Sequence, residues 1–264
     1  LALQGATLSS RASLDGSTIT MSALTDNTEE SLALFADLIL NPTFPAAELP
    51  RVKSEHIAAI RQEANQPLNM ALRVLPSLLY GEKHPYAKPL TGTGTEASVT
   101  AATQSSIAQW HQTWFRPNNA RLIIVGDTSK EEILPKLEAL FGNWPAAEVP
   151  RRSVVITEAP AQTALYLIDK PGAVQSVIVA GELITPLNNP QEAAIEAMDD
   201  ILGGQFAARI NMNLREDKGW SYGARSLVKN TAGQRPWLVY APVQSDKTAA
   251  ALAEINREIS EFVS

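Results

Sequence analysis

Leu202-Gly203-Gly204-Gln205-Phe206-Ala207-Ala208-Arg209-Ile210-Asn211, continuing through Leu214-Arg215-Glu216-Asp217-Lys218-Gly219-Trp220-Ser221-Tyr222, decides the fold of this 264-residue chain. The stretch reads as a helix from Leu202 to Arg215, a break at Gly219 and a strand, with Arg215 and Tyr222 seven positions apart across the break. Glycine is the residue that ends a helix in the left-handed conformation and turns the chain back past it. Taken alone, Arg215 could complement the helix dipole at its C-terminus and Tyr222 could be a half-buried strand aromatic. Gly203-Gly204 is not a phosphate loop, because no strand precedes it and no Lys-Ser/Thr follows. It reads as a helix break with close packing.

Outward from this stretch, a strand at Trp237 to Ala241 leads into a final helix, Asp246 to Val263. Upstream lie strands near Ala164 to Ile168 and Ser176 to Gly181, and a helix opened by Asn189-Pro190. A linker is expected over Gly142 to Ser153, where Pro145, Pro150 and Arg151-Arg152 interrupt the pattern. The N-terminal part predicts a hairpin from Ala6 to Ala23 about Asp15-Gly16-Ser17. A helix follows Asp26-Asn27, with Leu32, Phe35, Leu38 and Ile39 on its buried face, and Asn41-Pro42 ends it. Further helices are predicted over Ala46 to Ala64, Met70 to Tyr80 with Pro76 inside it, and Gln104 to Phe115, where Trp110 and Trp114 read as core. Leu122-Ile123-Ile124-Val125-Gly126-Asp127 reads as a strand buried on both faces. Ser129 and Glu132 form a capping box for a helix to Phe141.

Sliding the chain by 220 residues sets Asp26 on Asp246, Thr28 on Thr248, Leu32 on Leu252, Phe35 on Ile255 and Ile39 on Ile259. Strand, acidic turn and amphipathic helix recur together, as two copies of one sizeable unit would require.

Composition narrows the function classes. A net charge of -6 without any Lys/Arg-rich run argues against nucleic acid as a partner. No apolar stretch reaches the roughly 20 residues of a membrane span, and Leu1-Ala2-Leu3-Gln4 does not begin a signal peptide. With no Cys, disulfides, thiolate metal sites and Cys nucleophiles are excluded, and His56, His84 and His111 are the only imidazoles for metal or acid-base chemistry. His84-Pro85-Tyr86 reads as a loop anchor and His56, beside Glu55, as a solvated helix residue.

Asn41-Pro42-Thr43-Phe44, His84-Pro85-Tyr86 with Leu90-Thr91-Gly92-Thr93, and Trp114-Phe115-Arg116-Pro117-Asn118-Asn119 leading to Val125-Gly126-Asp127 occur in order. Lys170-Pro171-Gly172-Ala173-Val174-Gln175-Ser176 and the Leu202 to Tyr222 block follow. Together they resemble the M16 zinc peptidases of the insulinase and mitochondrial-processing-peptidase kind. The resemblance implies an α+β (α/β two-layer) LuxS/MPP-like metallohydrolase fold: two similar domains, each a mixed sheet with helices packed on one face. It places the C-terminal part of a first domain at 1–145, a linker at 146–153 and the N-terminal part of a second domain at 154–264. Family peptidases bind zinc through an H-x-x-E-H helix and a further Glu. No His pair of that kind occurs here, and the 220-residue offset puts the counterpart of the Leu202 to Arg215 helix just before residue 1. Aligned through Glu48-Leu49 and Ile60-Arg61, the two family Glu positions on the next helix are Val52 and Ala59, which cannot ligate a metal. A slipped alignment would bring in Glu55 or Glu63.

The resemblance further implies that Arg215 and Tyr222 donate hydrogen bonds to substrate carbonyl oxygens. The chain is thus expected to be a non-catalytic M16 subunit with no metal or cofactor of its own. It would give Arg215 and Tyr222 to a peptide substrate bound with a zinc-bearing partner subunit, in a bacterial periplasm or envelope. A structural or peptide-binding module without proteolytic role and a fragment of an active zinc endopeptidase are the alternatives.

Overall fold

The computed structural model describes residues 1–151, 153–158 and 162–264. The chain divides into two compact units, Leu1–Ala58 with Thr95–Ser153, and Ala59–Gly94 with Val154–Ser264. Of the linker expected at 146–153, Arg152 lies outside the described residues.

In the first unit the predicted hairpin is present as β1 (Thr7–Ala12) and β2 (Ser17–Ser22), antiparallel from Thr7↔Ser22 to Ala12↔Ser17. The Ser13 N–H donates to Gly16 C=O at 2.8 Å and closes the turn. A 3₁₀ turn, Thr25–Asn27, then opens α1 (Thr28–Leu40), with Glu29 and Glu30 in its first turn complementing the helix dipole. Its buried face is Ser31, Leu32, Phe35 and Ala36; Leu38, expected inside, is 42% exposed. Past Asn41 the turn is held by α5 (Gln104–Trp114). Gln104 Nε2 donates to Phe44 C=O at 2.8 Å, and the His111 ring lies edge-on to Phe44 with Nε2 2.9 Å from Ile39 C=O. Thus the Asn-Pro-Thr-Phe segment is a helix-to-helix corner. α6 (Lys130–Phe141) starts on the expected box: Ser129 N–H donates to Glu132 Oε2 at 3.0 Å and Glu132 N–H to Ser129 Oγ at 3.3 Å.

Three further sequence expectations fail. Trp110 is 49% exposed and does not join the core. Residues 122–125 form no strand, and Val125 is 93% exposed. The apolar run has the composition of a buried strand, but a strand also needs neighbours for its N–H and C=O groups, and among the described residues 122–125 pair with none. Ala164 to Ile168 fails in the same way, with Leu167 86% exposed.

The second unit is built on a three-stranded antiparallel sheet in the order β3 (Gln175–Ile184), β5 (Arg235–Gln244), β4 (Arg225–Val228). The central strand is buried along most of its length, and its alternate residues Trp237, Val239, Ala241 and Val243 point to one side. There they meet Leu202, Ile210 and Leu214, and Ala251 and Ile255 of α9 (Thr248–Val263). This is the principal core. α9 follows a 3₁₀ turn, Ser245–Lys247, so that strand, 3₁₀ turn and helix repeat the β2–α1 arrangement 220 positions on, Thr28 matching Thr248.

α2 (Leu49–Glu63) and α3 (Pro67–Tyr80), the latter with Pro76 inside it, precede a Gly/Thr-rich loop, residues 90–95. That loop is fixed by a half-enclosed ion pair: Arg73 Nη1 donates to Glu63 at 2.6 Å, Thr93 Oγ1 to the same carboxylate at 2.9 Å, and Arg73 Nη2 to Gly94 C=O at 2.8 Å. The His84 motif fastens the loop to the sheet side of this unit. His84 Nδ1 accepts from Tyr86 N–H at 3.0 Å, so its proton is on Nε2, which donates to Val155 C=O at 3.0 Å. Tyr80 stacks on the His84 ring and donates to Gln234 C=O at 2.8 Å, while Tyr86 Oη accepts from Gly233 N–H at 3.1 Å.

Gly203 carries the close approach that its pairing with Gly204 suggests. A Cβ there would stand 2.5 Å from the Ser226 backbone nitrogen of β4. The clash is with backbone, so Gly203→Ala is expected to destabilise the protein by about 2–3 kcal/mol, the cost of overpacking a filled site. Thermal denaturation would show it, and an unchanged melting temperature would contradict this packing.

Candidate functional site

The site grows out of the end of α7 (Glu192–Asp199). Asp199 anchors both neighbours of the core: its carboxylate accepts from Ser226 Oγ at 2.5 Å and from Trp237 Nε1 at 2.7 Å. Helical winding then widens into a π-turn, Asp200–Gly204, where the missing side chains of the glycines let the backbone pass β4. The uninterrupted helix expected from Leu202 to Arg215 is not formed. The chain leaves helical winding over Gln205–Ala208 and re-enters it at α8 (Arg209–Asn211), which continues as a second π-turn, Met212–Asp217. Ile210 and Leu214, both 0% exposed, are the inward side of this second helical piece.

Because Leu214 faces the core, Arg215 turns outward. Gly219, at φ +65°, then reverses the chain, and the Trp220 and Ser221 N–H groups both donate to Leu214 C=O, at 2.9 and 3.2 Å. The returning segment is fixed from behind, since Ser221 Oγ donates to Pro242 C=O at 2.6 Å and Gln244 N–H to Trp220 C=O at 3.0 Å. Tyr222 emerges beside Arg215. The Arg215 guanidinium carbon stands 5.3 Å from the Tyr222 ring centroid and 4.6 Å from that of Phe206. Such contacts hold a guanidinium while leaving its in-plane N–H edge free for acceptors.

Arg215 Nε lies 3.1 Å from Glu216 Oε1. Among the described residues neither its terminal nitrogens nor the Tyr222 hydroxyl has a hydrogen-bond partner, and Tyr222 is 84% exposed. Neighbouring cations differ in this respect. Arg209 is paired with Glu258 and Glu261, and Arg257 with Glu254. The Asn213 amide, followed by Arg257, holds the Glu254 carboxyl below the ordinary glutamate range. Arg215 therefore combines an accessible positive charge with unused donors.

The residues on α2 do not make a zinc centre. Val52 and Ala59, the positions equated with family ligands, are apolar and exposed. Glu55 is paired with Arg51 at 2.8 Å, and Glu63 is taken up by Arg73 and Thr93. His84 and His111 spend ring nitrogens on backbone carbonyls. Among the described residues no group of three or more His, Asp or Glu is placed to hold a metal ion.

Two site residues escape a reading of the sequence alone, Phe206 and Asn211. Phe206 is spaced four from Ile210 and eight from Leu214, which on a continuous helix predicts a core position. The interruption at Gln205–Ala208 turns it out to 62% exposure. Asn211 sits inside the second helical piece, where nothing in its spacing marks a role.

Comparison with known proteins bears on the family and the fold. The family model described as Peptidase M16 inactive domain matches residues 101–264. An uncharacterized zinc protease of Rickettsia bellii is 22% identical over 244 residues, covering 90% of this chain and 56% of the relative. The chain thus spans about half the length of that curated relative. Among solved structures, the peptidase M16 inactive domain from Pseudomonas fluorescens superposes with a TM-score of 0.91 at 24% identity, over 99% of this chain and 63% of that one. The first half of the periplasmic protease PqqL from Escherichia coli gives 0.68 at 19% identity, over 95% and 55%. By its mixed helix-and-sheet fold and the match over more than half its length, the chain belongs to the peptidase M16 family.

Proposed function

We propose that this chain is a non-catalytic part of an M16 zinc peptidase and that Arg215 and Tyr222 hold the main chain of a peptide substrate for a zinc-bearing partner subunit. The observation that carries this reading is the pair of unused donors: the terminal nitrogens of a half-buried guanidinium and an exposed phenol side by side. Both groups donate, and peptide carbonyl oxygens accept. A charged donor beside a carbonyl undergoing attack stabilises the negative charge that develops there. The zinc that activates water belongs, in this reading, to the partner, because Val52 and Ala59 offer no ligand.

Residues 1–145 and 154–264 are then the later part of one family domain and the earlier part of the next, joined at 146–153. The recurrence of hairpin, 3₁₀ turn and helix at Thr28 and Thr248 supports this. A periplasmic setting is part of the proposal and is supported by the likeness to periplasmic PqqL. No helix among the described residues is long and apolar enough to cross a membrane.

The test is cleavage of an unstructured peptide by the full-length protein mixed with a candidate zinc-bearing M16 subunit. Combining Arg215→Ala with Tyr222→Phe is expected to lower kcat/KM by about 100-fold or more, as removal of oxyanion donors does. Undiminished cleavage would sink the proposal.

A further inference from the structure

The Arg215–Tyr222 pair has a third, aromatic neighbour whose position is set from inside the fold. Phe206 is exposed, yet it lies close enough to Arg215 for its ring to face the guanidinium. Gly203 and Ala208 of the loop that carries it are buried, but neither has a polar side-chain group that could hold the Phe206 main chain. The anchor comes from Asn211, which is 4% exposed. Its Nδ2 donates to Phe206 C=O at 2.6 Å, and its Oδ1 accepts from Ala224 N–H at 2.9 Å. One buried carboxamide thus ties the Phe206 loop to the segment carrying Tyr222, two residues before Ala224. Both ends of the amide are used, so the spacing between the two segments is fixed by a single rigid group. A buried amide hydrogen-bonded through both its nitrogen and its oxygen favours one geometry, because a shift would leave a donor or an acceptor unpaired.

We infer that Phe206 is a specificity residue that packs against an apolar side chain of the bound peptide, and that Asn211 is the positioning residue holding Phe206 and Tyr222 about Arg215. This rests on the peptide-binding reading above. The chemistry divides the labour: Arg215 and Tyr222 meet carbonyl oxygens, which every peptide has, whereas an exposed phenyl ring adds affinity only when an apolar side chain lies against it.

The experiment is calorimetric titration of the full-length protein with two unstructured peptides of one sequence, differing at a single position that is leucine in one and aspartate in the other, the position being scanned along the peptide. At the position that meets Phe206, the wild-type protein is expected to prefer the leucine peptide. Phe206→Ala is expected to weaken the leucine peptide about 5- to 10-fold, the share of one apolar contact, and to leave the aspartate peptide unchanged. Because Phe206 is exposed, this variant will fold. Asn211→Ala is expected to collapse the leucine preference toward that of Phe206→Ala; a merely structural Asn211 would lower the melting temperature and leave the preference intact. Equal effects of Phe206→Ala on both peptides, or none, would overturn the inference while leaving Arg215 and Tyr222 in place. Loss of neither peptide on Arg215→Ala would instead overturn the peptide-binding reading on which it rests.

Discussion

Arg215→Ala is expected to weaken the binding of an unstructured peptide by about 10- to 100-fold while shifting the melting temperature by no more than about 2 °C. The loss follows from charge-assisted hydrogen bonds, worth about 1.5–3 kcal/mol each, with tenfold in affinity for every 1.4 kcal/mol. The small stability effect follows from where the side chain sits. Its protein contacts are an exposed neighbouring carboxylate and two exposed rings, and surface ion pairs contribute little. Arg215→Lys separates charge from geometry. An ammonium keeps the charge and loses the planar donor edge, so it should recover only part of the affinity. Full recovery in the lysine variant would mean that a point charge suffices and that the orientation set by Phe206 and Tyr222 is irrelevant. Titration calorimetry measures both variants.

The second large effect concerns the scaffold. Arg235, 1% exposed, sends three donors to three segments: Nε to Thr185 C=O at 2.9 Å, Nη1 to Asn230 Oδ1 at 2.8 Å, and Nη2 to Glu192 at the start of α7. It therefore fastens the end of β3, the β4–β5 turn and the helix that leads into the Gly203-Gly204 turn. Arg235→Ala is expected to cost about 3 kcal/mol or more, since a cavity opens and buried acceptors lose their donor. The corresponding fall in melting temperature is roughly 6–12 °C. The same contact makes stability depend on pH. The Arg235 hydrogen bond, with help from Asn189, holds the Glu192 carboxyl below its ordinary range. A depressed carboxyl contributes stability above the unfolded value of about 4.3 and loses it as pH falls through the folded value. Glu192→Gln should therefore be less stable than the wild-type protein at pH 7, with the difference shrinking below about pH 4. A difference that stays constant from pH 7 to pH 3 would contradict this assignment.

Much of the fold can be read in the sequence where a signal is local. The Ser129–Glu132 box, the Asp15-Gly16 turn and the Gly219 reversal depend on residues within a few positions of each other, and each forms as its residues dictate. The repeat was legible for a related reason: a strand, a turn and an amphipathic stripe carry their own spacing, so they stand out at an offset of 220 whatever surrounds them. Short helix α4 (Glu96–Ala101) was hidden because its cap is two hydroxyl residues, Thr95 and Ser98, in a run that otherwise looks like loop. The apolar runs at 122–125 and 164–168 have the composition of strands without forming them, because composition reports what a strand would bury and says nothing of what it would pair with. Phe206 has the spacing of a core residue only on a continuous helix, and the chain leaves the helix over residues 205–208. Asn211 shows a further limit: its importance lies in joining Phe206 to Ala224, a contact that exists only after the chain has turned back at Gly219.

The site residues divide along the same line. Arg215 and Tyr222 stand out only through the family resemblance, and the structure places them side by side with unused donors. The distance between their functional ends and the third aromatic beside them are products of folding. The most direct measurement of the central claim is a nuclear magnetic resonance titration of the protein with an unstructured peptide, observing the Arg215 side-chain N–H groups and the Tyr222 ring. If these two residues hold the peptide main chain, both sets of signals shift together along one binding curve, and Arg215→Ala abolishes the Tyr222 shift. A peptide that binds while both sets of signals stay where they were would contradict the account.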